Sequence, residues 1–179
     1  QASPGGGVDI LIAEDSRIQA KMLQRRLIEA GHTVRWGETG ADALALARER
    51  RPDIIVSDIE MPVMTGYEFC KAVKTDPALR TVPFILLSTL ADPIDIIRGL
   101  DAGADNYVTK PYEPDFLLAR MQSLLASPLA DEGAAAGAGE AAMLEVTLAG
   151  QQFRVKAGRQ QVLNLLVSTF ENAVAKNQE

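Results

Sequence analysis

The sequence predicts an α/β fold, a doubly wound sheet of five parallel strands. Three observations lead there. Strand-like and helix-like patterns alternate five times between Val8 and Ala126. The central strand-like runs are apolar throughout, as strands covered on both faces must be. Polar and charged residues gather where those runs end, the edge at which open α/β sheets bind their ligands.

The elements follow in order. VDILIA (8–13) is short, β-branched and apolar, and reads as the first strand. Ser16 fits an N-cap, with Ile18, Met22, Leu23, Leu27 and Ile28 at helical spacing behind it and Gly31 as the stop. HTVRW (32–36) alternates as a second strand. Thr39 or Gly40 opens a helix carrying Ala43, Leu44, Leu46 and Ala47. Pro52 precedes the third strand, DIIVSD (53–58). Gly66 to Lys74 is a short helix that Asp76-Pro77 terminates. VPFILLS (82–88) is the fourth strand. Pro93 suits a first helical turn, with Ile94, Ile97 and Leu100 as its apolar face. DNYVT (105–109) is the fifth strand, and Glu113 to Leu125 the fifth helix, with Phe116, Leu117, Met121 and Leu124.

After residue 126 the composition changes. SPLADEGAAAGAGEAA (127–142) has no apolar period and reads as a flexible linker. LEVTLAGQQFRVKA (144–157) holds two alternating runs around Ala149-Gly150, a β-hairpin pattern. In the last helical stretch Leu163, Leu166, Phe170 and Ala173 form a heptad-like seam. That seam suits either packing on the first domain or dimerisation by a coiled coil continuing past residue 179. Residues 1–7 (QASPGGG) read as a disordered or non-native start outside the fold. The domains expected are therefore 8–126, a linker at 127–142, and a hairpin-helix segment at 143–179.

Composition narrows the function classes. The 179 residues are 47% hydrophobic and 23% charged, with net charge −6. An acidic chain is a poor partner for a phosphate backbone, so no nucleic-acid binding is expected here. No apolar run has the roughly 18–20 residues a membrane span needs, and a cytoplasmic location is expected. Arg25-Arg26 and Arg48 to Arg51 fall on helical patterns and read as solvated faces. The single cysteine, Cys70, excludes an intrachain disulfide and reads as a small buried hydrophobe. The single histidine, His32, reads as a surface strand residue.

The strand ends carry the chemistry. The first strand ends in Glu14-Asp15, the third in Asp58, the fourth in Ser88-Thr89 and the fifth in Thr109-Lys110-Pro111. Singly, each has an ordinary explanation as a helix cap or surface charge. Together they bring three carboxylates, hydroxyls and a lysine to one sheet edge. Clustered carboxylates repel unless a cation neutralises them, and an all-oxygen, highly charged set suits Mg²⁺. Lys110 adds a compact charge for a phosphate-like group, and an aspartate is a known covalent acceptor.

IAEDS, IIVSDIEMPVMTGYEF, FILLST and GADNYVTKPY resemble the response-regulator receiver domain of two-component signalling, over about 8–126. The resemblance implies the flavodoxin-like strand order 2-1-3-4-5. It implies Asp58 as phosphoacceptor for a cognate histidine kinase or phosphotransfer protein. It implies Glu14 and Asp15 as the Mg²⁺-holding pair, with the Glu60 backbone carbonyl completing the metal site. Ser88 matches the hydroxyl that moves to the phosphoryl group and Tyr107 the aromatic switch. Lys110 matches the phosphoryl-contacting lysine, and Lys110-Pro111 the family's cis peptide. Met61, Pro62 and Gly66 match the following loop and helix start. Phosphorylation is then expected to alter the surface of the fourth helix, fifth strand and fifth helix. Ser88 replaces the commoner Thr. Thr89 stands where a small residue is frequent, and with Glu60 and Leu90 it is expected to tune phosphoryl lifetime. The tail resembles, more weakly, a segment joining amino-terminal receivers to a downstream catalytic module.

Only self-phosphorylation and self-dephosphorylation chemistry is expected. A haloacid-dehalogenase-type phosphatase is the enzymatic alternative. It needs an Asp two residues after its nucleophile, where this chain has Glu60, together with a later acidic pair. A flavodoxin-like nucleotide binder needs a phosphate loop where this chain has AEDSR. A scaffold that is never phosphorylated is a further alternative.

Overall fold

The computed structural model describes residues 7–89, 95, 98–99, 101–110 and 112–126, and the strands at 143–148 and 151–156. Five strands form one parallel sheet: β1 (Asp9–Ala13), β2 (Thr33–Gly37), β3 (Ile54–Asp58), β4 (Phe84–Ser88) and β5 (Asn106–Thr109). Their order is β2-β1-β3-β4-β5, as predicted. Four helices are described in full: α1 (Arg17–Glu29), α2 (Gly40–Glu49), α3 (Gly66–Thr75) and α4 (Pro114–Ala126). The predicted fifth helix is α4. Of the predicted fourth, residues 95, 98, 99 and 101 are helical, while Pro93, Ile94, Ile97 and Leu100 lie outside the described residues.

The core has two layers, one per sheet face. Leu11, Ile55, Phe84 and Leu86 pack with Ala43, Phe69 and Val73 from α2 and α3. Ile10, Ile12, Ile54, Val56 and Ile85 pack with Leu23 and Leu27 of α1 and Leu117 and Met121 of α4. Alternate residues of each strand thus serve opposite faces. That is why the strands read as unbroken apolar runs.

Local chemistry fixes where elements begin and end. Ser16 caps α1 by accepting from Gln19 N–H, and Thr39 caps α2 by accepting from Asp42 N–H. Thr65 and Glu68 form a reciprocal capping box at α3. Gly31 takes φ +96 behind α1, and the Gly31 and His32 N–H groups return to the Ile28 and Leu27 carbonyls. This is a Schellman stop. It uses the His32 N–H, so β2 starts at Thr33 rather than at the predicted His32. His32 is half-buried rather than a surface strand residue, and its Nδ1 accepts from Val8 N–H at 3.2 Å. β3 starts at Ile54, one residue later than predicted, although the Asp53 N–H still donates to the Asp9 carbonyl of β1.

Cys70 is fully buried in α3, and burial pushes its thiol pKa up, in keeping with a packing role. The basic runs are partly engaged: Arg26 pairs with Asp115, Arg48 with Asp76, and Arg50 with Asp9. Residues 143–148 and 151–156 pair antiparallel as a separate two-stranded sheet, with Leu148 opposite Gln151. The linker residues 127–142 and the seam residues Leu163, Leu166, Phe170 and Ala173 lie outside the described residues. So do residues 1–6. No helix among the described residues is long and apolar enough to cross a membrane.

Candidate functional site

Parallel strands in register deliver their next residues to one edge. Ala13 pairs with Ser57, so Glu14 and Asp58 emerge side by side from β1 and β3. Asp58 in turn pairs with Leu87, and Ser88 with Thr109, which brings Lys110 to the same edge. Ligand oxygens of Glu14, Asp15 and Asp58 all lie within 4.8 Å of one another. Gly66 permits the following loop to fold back, since a Cβ there would fall 2.8 Å from Ile59 Cα.

Each side chain is held by identifiable partners. Asp58 Oδ1 accepts from Ile59 N–H at 2.9 Å, and its Oδ2 lies 3.3 Å from Lys110 Nζ. Glu14 Oε1 accepts from Ser16 N–H at 3.1 Å, and Oε2 from Lys110 Nζ at 3.2 Å. Gln19 Oε1 accepts from the same ammonium at 2.8 Å. Glu14 is buried while Asp15 is exposed. Burial, and then the Asp58 charge beside it, raise the Glu14 pKa to about 7 against the pull of Ser16 N–H and Lys110. Glu14, Asp15, Ser16, Gln19, Asp58, Glu60, Thr89 and Lys110 line a cleft of about 280 Å³.

Ser88 and Tyr107 are both buried, at 1% exposure each. The hydroxyls of Ser88 and Tyr67 neighbour that of Tyr107, and Tyr67 donates to the Asp95 carbonyl at 3.0 Å. Burial pushes the Tyr107 pKa to about 12, so its hydroxyl keeps its proton at neutral pH. Leu90 and Pro111, and with Pro111 the expected cis peptide, lie outside the described residues.

Sequence reasoning did not find Gln19, Tyr67, Trp36 or Tyr112. Burial, with Glu14 and Asp58 adding to it, raises the Tyr112 pKa to about 12. Its place directly after Lys110-Pro111 was the available signal. Trp36 Nε1–H donates to the Glu14 carbonyl at 2.7 Å, a contact across 22 residues for which no local pattern exists.

An acidic cleft at the carboxyl edge of a 2-1-3-4-5 parallel sheet, with a lysine across it, defines a receiver-type domain. Residues 10–122 match the family model of the response regulator receiver domain, and the chain belongs to that family. It is a signalling domain of two-component systems. It is 39% identical over 116 residues to the transcriptional regulatory protein AfsQ1 of Streptomyces coelicolor, covering 65% of this chain and 50% of that protein. It is 36% identical over 115 residues to the response regulator PleD of Caulobacter vibrioides, covering 64% of this chain and 25% of that protein. The chain thus spans half or less of the length of these relatives.

Among solved structures, the receiver domain of a signal transduction histidine kinase from Syntrophus aciditrophicus superposes with TM-score 0.64 at 42% identity. The match covers 67% of this chain and 91% of that one. The receiver domain of the sensor histidine kinase PA1611 from Pseudomonas aeruginosa superposes with TM-score 0.64 at 29% identity, covering 68% and 99%. That structure has a magnesium ion coordinated in its active-site cleft.

Proposed function

We propose that this chain accepts a phosphoryl group on Asp58 from a histidine kinase or phosphotransfer protein and passes the change to a downstream output. One observation carries the reading: Asp58 shares a cleft with two further carboxylates and with an ammonium 3.3 Å from its Oδ2. Family membership supports the class of partner, and the relatives' greater length supports an output beyond residue 126.

The site fits Mg²⁺. Glu14, Asp15 and Asp58 offer only oxygen ligands, and the charged form of Glu14, disfavoured first by burial and then by the Asp58 charge, is the form a cation would favour. When bound, Mg²⁺ supplies charge that neutralises the carboxylates and the incoming phosphoryl oxygens. The Glu60 carbonyl is the further ligand proposed. Asp58 attacks phosphorus through a carboxylate oxygen. The new P–O bond forms as the P–N bond to the donor histidine breaks, and the electron pair leaves on the imidazole nitrogen. The Ile59 N–H keeps Oδ1 engaged, and Lys110 balances charge at Oδ2. Ser88 then moves to bond a phosphoryl oxygen, which leaves room for Tyr107 to rotate inward and alters the face made by the helical residues before β5, β5 itself and α4. Thr89 and Glu60 line the cleft and, with Leu90, are proposed to tune phosphoryl lifetime.

The organisation proposed is a receiver at 8–126, a linker at 127–142 and a coupling or dimerising segment at 143–179. The seam of Leu163, Leu166, Phe170 and Ala173 supports the last of these. Incubation with a small phosphodonor and Mg²⁺ should add one phosphoryl group by intact mass, and Asp58→Asn should abolish it. Labelling that persists in Asp58→Asn would sink the assignment.

A further inference from the structure

The edge strand β2 reaches the backbone that carries the cleft's acids through a side chain that the proposed chemistry does not use. In the ladder Ile12 lies opposite Trp36 and Ala13 opposite Gly37. One residue beyond, Glu14 N–H donates to the Gly37 carbonyl at 3.1 Å. The Glu14 carbonyl has passed the end of the ladder, and a backbone carbonyl in so buried a residue needs a donor. Trp36 supplies it, with Nε1–H at 2.7 Å. Two consecutive residues of β2 therefore hold both backbone polar groups of Glu14.

The consequence extends one residue further. The Glu14 carbonyl and the Asp15 N–H belong to one planar peptide unit. Fixing that carbonyl fixes the plane from which the Asp15 Cα departs, as well as the backbone that carries the Glu14 side chain. Both acids sit in the three-carboxylate cluster. An indole N–H is a donor only, so it holds the carbonyl in one sense at any working pH. Phenylalanine or leucine would offer bulk without a donor.

We infer that Trp36 is a positioning residue for the acidic cleft: its indole N–H fixes the Glu14–Asp15 peptide and thereby sets the affinity of the carboxylate cluster for a divalent cation. The inference rests on the cation-holding role proposed above. Outer partners that orient metal ligands typically change affinity by about 10- to 100-fold when lost, and an effect near the lower end, roughly tenfold, is expected for a contact made to the backbone.

The chain has one tryptophan, so biosynthetic replacement of tryptophan by 3-benzothienylalanine alters one site, putting sulfur in place of N–H while keeping the ring shape. Mg²⁺ affinity is measured by calorimetry on the full chain before and after replacement, with thermal unfolding in parallel. The expected result is affinity about tenfold weaker in a protein that still unfolds cooperatively. Equal affinity in the two proteins overturns the inference and leaves the cation site standing. Failure of the unmodified chain to bind Mg²⁺, or binding that survives both Asp15→Asn and Asp58→Asn, overturns the cation site and the inference with it. A second measurement needs no replacement. The one indole N–H resonance of the ¹⁵N-labelled chain should be protected from exchange and should shift with the calorimetric midpoint during Mg²⁺ titration. A freely exchanging indole N–H that ignores Mg²⁺ overturns the inference even if the replaced protein does not fold.

Discussion

Lys110 Nζ stands 3.3 Å from Asp58 Oδ2, and the same ammonium lies 3.2 Å from Glu14 Oε2. It is thus an internal cation on the oxygens that a divalent ion would use. At about 4 Å and an effective dielectric near 20, two unit charges interact by roughly 4 kcal/mol, enough for competition to be measurable after screening. Lys110→Met keeps most of the length of the side chain and removes the charge. Calorimetry should show Mg²⁺ binding several-fold tighter to Lys110→Met, while phosphodonor labelling of Asp58 slows. Weaker Mg²⁺ binding would mean that Lys110 organises the acids rather than competing for them.

Glu14 gives the metal-free protein a distinctive pH dependence. Its pKa is raised from the ordinary carboxylate value of 4.5 to about 7, by burial first and the Asp58 charge second. The native state therefore holds this proton where the unfolded chain has released it. The contribution to stability is fully present below pH 4.5 and is lost as pH rises through about 7. Other carboxylates titrate in the same range, so the difference from Glu14→Gln isolates the effect. Urea unfolding without Mg²⁺ should show Glu14→Gln gaining about 1–3 kcal/mol on wild type between acidic and mildly basic pH. Saturating Mg²⁺ should shrink that gain. A difference independent of pH would refute the raised pKa.

The strands and the acids were legible in the sequence because both are set by short-range pattern. Ile54 to Val56 run apolar into Asp58, and Ser16 and Thr39 sit where helix caps belong. The capping box of Thr65 and Glu68 was also present as a local pattern, T-x-x-E, although only Gly66 was singled out. What stayed hidden is long-range. Trp36 looked like one more residue of an alternating strand, and nothing near it names Glu14 as the acceptor of its indole. Tyr67 lies one residue past Gly66, yet its partners come from β5 and from Asp95. His32 was misread because its N–H is taken by the stop of α1, a backbone bond rather than a side-chain preference.

Lys74 and Asp105 belong to the same hidden class, 31 residues apart. Asp105 is fully buried, and its Oδ2 accepts from Lys74 Nζ at 2.8 Å and from Phe84 N–H at 2.9 Å. Lys74 also donates to the Val82 carbonyl at 2.8 Å. One ion pair thus joins the end of α3 to the starts of β4 and β5. Removing one partner strands the other in the interior, which typically costs about 3–5 kcal/mol. Asp105→Ala should lower stability by that amount in urea unfolding. Asp105→Asn keeps an acceptor for Phe84 N–H and should cost less, about 1–3 kcal/mol. Equal costs would show that the lost charge, which both variants share, accounts for the whole effect and the retained acceptor for none of it.

The loop after Asp58 holds a strained residue. Val63 has φ 71, and Met64 N–H returns to the Pro62 carbonyl at 2.7 Å. This is a γ-turn with a β-branched residue in left-handed backbone space, a conformation that costs about 1–3 kcal/mol. Val63 is also 85% exposed, so no buried packing offsets the strain. Asparagine tolerates positive φ better, and Val63→Asn should stabilise the protein by about 1 kcal/mol. Val63→Gly relieves the same strain but gives the unfolded chain more freedom, so its gain should be smaller. Chemical denaturation of the three proteins orders them directly. A destabilised Val63→Asn would mean that the valine side chain makes a contact outweighing the backbone strain. Because the loop runs from the acidic cleft to α3, relaxing it should also change the rate of Asp58 labelling if the strain helps to hold the cleft. Unchanged labelling in a stabilised Val63→Asn would assign the strain to the turn alone.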